Sequence, residues 1–111
     1  ISFDVLFLMK FCALNGIKPS SIHVNFKKPY FLDLNEGKYT NLNHHNKYNI
    51  IDWEISADMY ELGQLEYDDL PAWNRSIERS NIILDCLIKY ISIHLVDLSQ
   101  LKSIKILKEL I

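Results

Sequence analysis

The chain has 111 residues, of which 49% are hydrophobic and 23% are charged, and its formal net charge is −2. These values are typical of one ordinary globular domain, and they argue against a disordered chain. A chain of this length also buries a core without help from metals or disulfides. We therefore expect a single domain over residues 1–111.

The N-terminal segment, residues 2–15, is predicted to form a helix because its apolar residues recur at steps of three and four. Gly16 is a natural stop, since glycine readily adopts the positive φ found just beyond a helix. Apolar residues occur on nearly all sides, so we expect this helix to be deeply buried. It is too short and too interrupted by Asp4 and Lys10 to be interpreted as a signal peptide or a membrane span.

Four strands are predicted next, from the alternation of apolar and polar residues. They cover residues 22–26, 30–34, 39–43 and 49–55. A turn over residues 35–38, in which Gly37 takes positive φ, joins the second strand to the third. Trp53 lies on the inward side of the fourth strand. Because the connections are too short for parallel crossovers, we expect an antiparallel meander of three or four strands.

Two to three helices are predicted in the rest of the chain. Ser56 can cap a short helix that ends near Gly63, and an acidic loop follows over residues 64–69. Pro71 suits the first turn of a long central helix that runs to about Leu95.

The last part of that helix, residues 90–96, is rich in β-branched residues, so a strand remains an alternative there. A capping box over residues 97–100 precedes an amphipathic closing helix. The predicted fold class is therefore α+β: a buried N-terminal helix, a three- to four-stranded antiparallel meander, and two to three helices including a long central one.

No residue pattern typical of a catalytic, metal or cofactor site is found. The glycines are too scattered for a phosphate-binding loop, and Cys12 and Cys86 are too far apart for a zinc site. We interpret both cysteines as buried thiols in a reducing, cytoplasmic compartment. The adjacent histidines His44 and His45 are interpreted as part of a solvated loop. His94 is interpreted as a hydrogen-bonded, partly buried imidazole.

Acidic residues concentrate in residues 49–74, which hold seven of the fourteen acids and no Lys or Arg. The residues before this segment carry six basic against three acidic side chains, and those after it carry six against four. Both tryptophans also lie in the segment. Arg75 and Arg79, four residues apart just after it, are interpreted as partners of neighbouring acids, Glu78 included. The basic residues are too dispersed to predict direct nucleic-acid binding.

Carboxylates that steer an encounter, together with Trp and Tyr, are typical of protein interfaces. The predicted partner-binding residues are Asp58, Glu61, Glu66, Tyr67, Asp68, Asp69 and Trp73. Asp58 and Glu61 are three apart on the predicted short helix and so share a face. An ordinary solvated acidic face is the alternative for this pair, and Trp73 suits the core as well as an interface.

Our first functional hypothesis is a non-enzymatic inhibitor or interaction module that docks this acidic surface on a basic protein. Its most concrete form is an immunity protein that neutralises a toxin nuclease, with no cofactor and no membrane contact. The second hypothesis is a structural or regulatory domain of a larger protein or complex, which would suit a chain that starts at Ile1. The third is an enzyme of unrecognised type whose pocket gathers His23, His44 or His94 with acids.

Overall fold

The computed structural model describes residues 2–42, 49–73 and 75–94. Three α-helices, three strands and one 3₁₀ helix follow one another along these residues. In chain order they are α1 (Ser2–Leu14), β1 (Phe31–Asp33), β2 (Lys38–Thr40), β3 (Ile50–Ile51), α2 (Trp53–Gly63), the 3₁₀ helix (Tyr67–Ala72) and α3 (Ile77–His94). The α+β class, with an N-terminal helix, a three-stranded antiparallel sheet and a long helix α3, is confirmed.

The sheet is antiparallel, as predicted, but its strands have the order β2-β1-β3. Leu32, in the central strand β1, faces Tyr39 of β2 on one side and Ile51 of β3 on the other. The hairpin of β1 and β2 agrees with the predicted meander. β3, however, joins the far side of β1 instead of continuing beyond β2.

The strand predicted over residues 22–26 is wrong, since this segment consists of turns and irregular chain. The chain just before it nevertheless lies beside β2, where Ser20 forms a bridge with Lys38. Ser20 donates from its amide to the carbonyl of Gly37 at 2.9 Å and accepts from the amide of Tyr39 at 2.8 Å. Ile22 is 81% exposed, so the apolar alternation does not mark a buried face here.

The side chain of Asn41 replaces the missing strand pairing. Its Oδ1 accepts from the amide of Asn25 at 2.7 Å, and its Nδ2 donates to the carbonyls of Asn25 and Pro29 at 2.9 and 3.0 Å. One side-chain amide therefore satisfies backbone groups that a neighbouring strand would otherwise pair. These hydrogen bonds hold the connector, residues 17–30 between α1 and β1, against the sheet without regular structure.

The helix α1 ends as the sequence predicts. Gly16 has a φ of +70°, its amide donates to the carbonyl of Ala13 at 3.2 Å, and the amide of Ile17 donates to that of Cys12 at 3.0 Å. These are the two hydrogen bonds of a Schellman motif. Deep burial is only partly correct, because Phe7 is 45% exposed while the opposite side of the helix lies in the core.

Strand β3 ends at Ile51, four residues earlier than predicted, because Asp52 is the N-cap residue of α2. Ser56 is consequently not a cap but a buried residue inside the helix. Its hydroxyl accepts from the amide of Leu32 at 2.8 Å and donates to the carbonyl of Ile51 at 2.9 Å. The hydroxyl thus joins β1 to β3 at the position where their residues face each other.

The long helix α3 begins at Ile77, six residues after the predicted start at Pro71. Pro71 instead lies inside the 3₁₀ helix, a separate element. The helix α3 continues to His94, so the strand alternative is wrong for its described residues. The predicted capping box and closing helix lie outside the described residues, as do the loop at 44–47 and the end of the predicted third strand.

The C-terminal end of α3 packs on the first half of the chain. The hydroxyl of Tyr90 donates to the carbonyl of Ile17, and Nε2 of His94 donates to the carbonyl of Leu34 at 2.6 Å. The ring of His94 also lies against that of Tyr90, with centroids 4.4 Å apart. The interpretation of His94 as a hydrogen-bonded imidazole is confirmed.

One hydrophobic core joins the three α-helices to the sheet. Its members are Val5, Leu6, Leu8, Met9, Cys12, Leu32, Leu34, Tyr39, Ile55, Met59, Leu62, Trp73, Ile83, Leu84, Leu87, Tyr90 and Ile91. None of the helices among the described residues is both long and apolar enough to cross a membrane.

Candidate functional site

The acidic segment is organised around Asp58, which is only 4% exposed. Arg75 donates from Nε to one carboxylate oxygen at 3.0 Å, and Arg79 donates from Nε to the other oxygen. Arg75 lies just before α3 and Arg79 lies in its first turn, so this carboxylate joins α2 to α3. Asp58 therefore does not belong to the accessible surface, contrary to the prediction.

The same two arginines reach the acids on either side of Asp58. Nη2 of Arg75 donates to Oε2 of Glu61 at 3.1 Å, while Nη2 of Arg79 donates to the carbonyl of Glu54 at 3.2 Å. The carboxylate of Glu54 lies 3.9 Å from Nη1 of Arg79. Glu61 and Glu54 remain exposed, so each of these outer contacts is surrounded by solvent and contributes little to the stability of the fold. The interpretation of both arginines as partners of nearby acids is confirmed for Glu54, Asp58 and Glu61.

The 3₁₀ helix carries the second group of acids and is fixed by a capping box. The carboxylate of Glu66 accepts from the backbone of Asp69, and Oδ2 of Asp69 accepts from the amide of Glu66 at 2.9 Å. Both side chains therefore hold this turn together. Both residues are exposed, as is Asp68 between them in the sequence. Asp68 is thus the predicted residue best placed to meet a partner without loss of internal contacts.

Lys10, on α1, fixes the 3₁₀ helix to the rest of the domain. Its ammonium group lies 3.1 Å from Oε2 of Glu66, and it donates to the carbonyl of Leu65 at 3.4 Å. The same group lies 5.4 Å from the centre of the Tyr67 ring, within the range of a cation–π contact. Tyr67 is 38% exposed, so one part of its ring remains accessible.

Trp53 takes the opposite place to the one that the sequence favours, whereas Trp73 takes the core place that the sequence left open beside an interface. Trp73 is only 3% exposed and belongs to the core, with the guanidinium of Arg75 4.9 Å from its ring centre. Burial removes it from the accessible surface. Trp53 starts α2 and is 50% exposed, because β3 ends before it. The missed signal is Asp52 as a helix cap, followed by Glu54 in the first turn.

Six carboxylates remain exposed after these contacts, and we call them together the acidic surface. It comprises the exposed carboxylates Asp52, Glu54, Glu61, Glu66, Asp68 and Asp69. Together with buried Asp58 they amount to seven negative charges, against which Lys10, Arg75 and Arg79 place three positive ones. The net charge of this region is therefore about half of the charge of its acids alone, but it is still negative.

Both cysteines carry thiols whose pKa is raised. Burial is the main factor that raises the pKa of the Cys12 thiol to about 12 and that of the Cys86 thiol to about 11, so neither is an activated nucleophile. Cys12 is buried as predicted, whereas Cys86 is half-buried. Within the part of the chain that the structure describes, no three His, Cys, Asp or Glu side chains are grouped to hold a metal ion.

Comparisons of the chain with protein-family models, with curated proteins and with solved structures found no match. The geometry of the acidic surface is therefore the basis for a functional proposal.

Proposed function

We propose that this chain is a non-enzymatic interaction module that docks its acidic surface on a basic partner protein. The most concrete form of the proposal is a cytoplasmic immunity protein that occludes the nucleic-acid site of a toxin nuclease. A nuclease attracts phosphates with basic residues, and a surface of carboxylates offers the same charge.

One observation carries the proposal: exposed acids and exposed aromatic rings occur together along α2 and the 3₁₀ helix. Trp53 lies between Asp52 and Glu54 at the start of α2, and Tyr67 precedes Asp68 in the 3₁₀ helix. Trp and Tyr are enriched at the centres of interfaces, where they supply most of the binding energy. Trp53 therefore replaces Trp73 as the proposed aromatic anchor.

One buried and one exposed ion pair position the elements that carry this surface. Asp58 fixes α2 against α3, and Lys10 fixes the 3₁₀ helix against α1, so the outer carboxylates stand on elements that are already held in place. Preorganised groups lose less conformational entropy on binding. The remaining negative charge accelerates the encounter with a basic partner and makes association sensitive to salt.

The test begins with affinity capture from the native host at low and high salt, followed by binding measurements with the partner that is recovered. We expect a basic protein whose association rate falls as salt increases. The variant Asp68→Lys should slow association, and Trp53→Ala should accelerate dissociation, because one removes steering charge and the other an anchor. If the partner is a nuclease, the chain should also inhibit cleavage of nucleic acid.

Glu36→Lys is the matched control, since it makes the same charge change in the exposed turn between β1 and β2. It should retain most of the affinity. A partner that binds the Asp68→Lys and Trp53→Ala variants as tightly as the unaltered chain would exclude docking through the acidic surface.

A further inference from the structure

A cavity of about 130 Å³ lies between α1, the connector that follows it, β2 and the end of α2. Its apolar wall includes Leu6 and Met9 of α1, Met59 of α2 and the Tyr39 side chain. An apolar cavity of about 150 Å³ is large enough to hold benzene in a protein interior. The cavity therefore has room for a compact apolar group about as large as one aromatic ring.

The charged part of the wall is entirely cationic among the described residues that line the cavity. Lys10 and Lys18 contribute to the wall, and no Asp or Glu does. Lys18 is exposed and forms no ion pair with the described part of the chain. An ammonium group on a flexible four-carbon stem can turn toward an anion at the cavity mouth. Ser21 and Gln64 add polar side chains to the same wall.

We propose that this cavity is a binding site for a small organic carboxylate with a compact apolar body. The body would occupy the space beside Met9 and Met59, and the carboxylate would meet Lys18 and Lys10 at the mouth. This follows the usual composition of ligand pockets, in which an apolar wall gives affinity and a few polar groups fix orientation. The proposal does not rest on the proposed docking function, although Lys10 and Glu66 take part in both.

Lys10 gives this site a specific property, because its ammonium group also binds Glu66 on the 3₁₀ helix. A bound carboxylate and the Glu66 carboxylate would share the same cation. Removing the charge of Glu66 should therefore strengthen ligand binding, while removing the charge of Lys18 should weaken it. A site without this electrostatic contribution would respond to neither change.

The test uses benzoate as the probe and benzamide, which has nearly the same shape without the charge, as its comparison. Amide resonances of the folded chain are followed by NMR during titration with each compound. We expect saturable shifts at Gly63 and Gln64, with benzoate binding several-fold more tightly than benzamide. Equal affinities for the two compounds, or no saturable benzoate shift at the cavity, would overturn the proposal.

Four variants and one replacement variant complete the design. Lys18→Gln should weaken benzoate several-fold without changing benzamide, and Glu66→Gln should tighten benzoate. Lys89→Gln, on the exposed face of α3, is the matched control and should change neither. Gly63→Leu should block both compounds, since a Cβ at Gly63 lies 3.7 Å from Cε of Met9 in the cavity wall. Ala13→Leu, which fills the wall from α1, replaces it if that variant does not fold.

Discussion

The guanidinium of Arg79 binds the buried carboxylate of Asp58 from the first turn of α3, while α2 supplies the carboxylate. Arg75 binds the second oxygen of the same carboxylate. An acid that the sequence places in a uniformly charged segment is thus the residue that joins two helices. The segment therefore divides into one internal carboxylate and six external ones.

Replacing Asp58 with Asn should destabilise the fold by about 3 kcal/mol, because two guanidinium groups would then face a neutral amide. We expect the lower end of the usual range for a broken buried pair, since the arginine side chains are 25% and 34% exposed and can regain water. Urea denaturation measures the free energy of unfolding. Asp68→Asn, at an exposed position, should change it by less than about 0.5 kcal/mol. Similar values for both variants would contradict a structural role for Asp58.

Ser56→Ala should cost about 2 kcal/mol or more, because the hydroxyl satisfies both the amide of Leu32 and the carbonyl of Ile51 in a buried place. The matched control is Ser92→Ala, whose hydroxyl also binds a backbone carbonyl, that of Ile88 at 2.8 Å, but at an exposed site. The free energy of unfolding of this control should lie within about 0.5 kcal/mol of that of the unaltered protein. Thermal and urea denaturation of the three proteins provide the comparison.

Two glycine-to-alanine substitutions should have opposite effects on stability. Gly37 has a φ of +65°, and a Cβ there would lie 3.3 Å from Cε1 of His94, so Gly37→Ala should cost at least about 1 kcal/mol. Gly63 lies within α2, and its Cβ would meet only an ordinary contact with Met9, so Gly63→Ala should stabilise by about 0.5–1 kcal/mol. Melting temperatures that shift in the same direction would contradict this assignment.

Stability should decline in alkali above about pH 9. Burial raises the pKa of Cys12 from 9.0 to about 12, so the unfolded chain loses this proton first as pH rises. The stabilisation is fully present below pH 9.0 and is lost progressively as pH rises toward 12. Burial also raises the pKa of Tyr39 and Tyr90 above the ordinary value of 10.0, which adds to the decline at higher pH.

Unfolding free energies measured by urea denaturation between about pH 7 and pH 10.5 test this expectation. Each buried thiol or phenol whose pKa is raised should lower the free energy of unfolding by up to about 1.4 kcal/mol per pH unit. Cys12→Ala should reduce the slope just above pH 9, although it also lowers stability at neutral pH by leaving a smaller side chain in the core. An unchanged slope in Cys12→Ala would show that its thiol does not contribute.

Local signals in the sequence predict the fold where a single residue type determines the backbone. Gly16 ends α1 and Gly37 closes the hairpin because both positions require positive φ. The alternation over residues 22–26 fails because it reports side-chain polarity and not pairing. The hydrogen bonds that hold this connector come from Asn41, sixteen residues beyond Asn25. No local pattern encodes such a contact.

The site is harder to predict because burial depends on contacts between distant segments. Asp58 and Asp68 are indistinguishable as acids in the sequence, but only Asp58 meets two arginines that lie seventeen and twenty-one residues away. The exposure of Trp53, which the sequence favoured as a core residue, has a simpler origin. Moving the start of α2 to Trp53 turns a predicted inward strand position into an exposed helix position.

The hydrogen bond from Tyr90 to the carbonyl of Ile17 joins residues 73 positions apart. Because closing so long a loop costs conformational entropy, we expect this contact to form among the late steps of folding. The connector that carries Lys18 starts at Ile17. We therefore expect its arrangement to be completed only when the end of α3 has docked, which makes the cavity mouth a reporter of a late stage of folding.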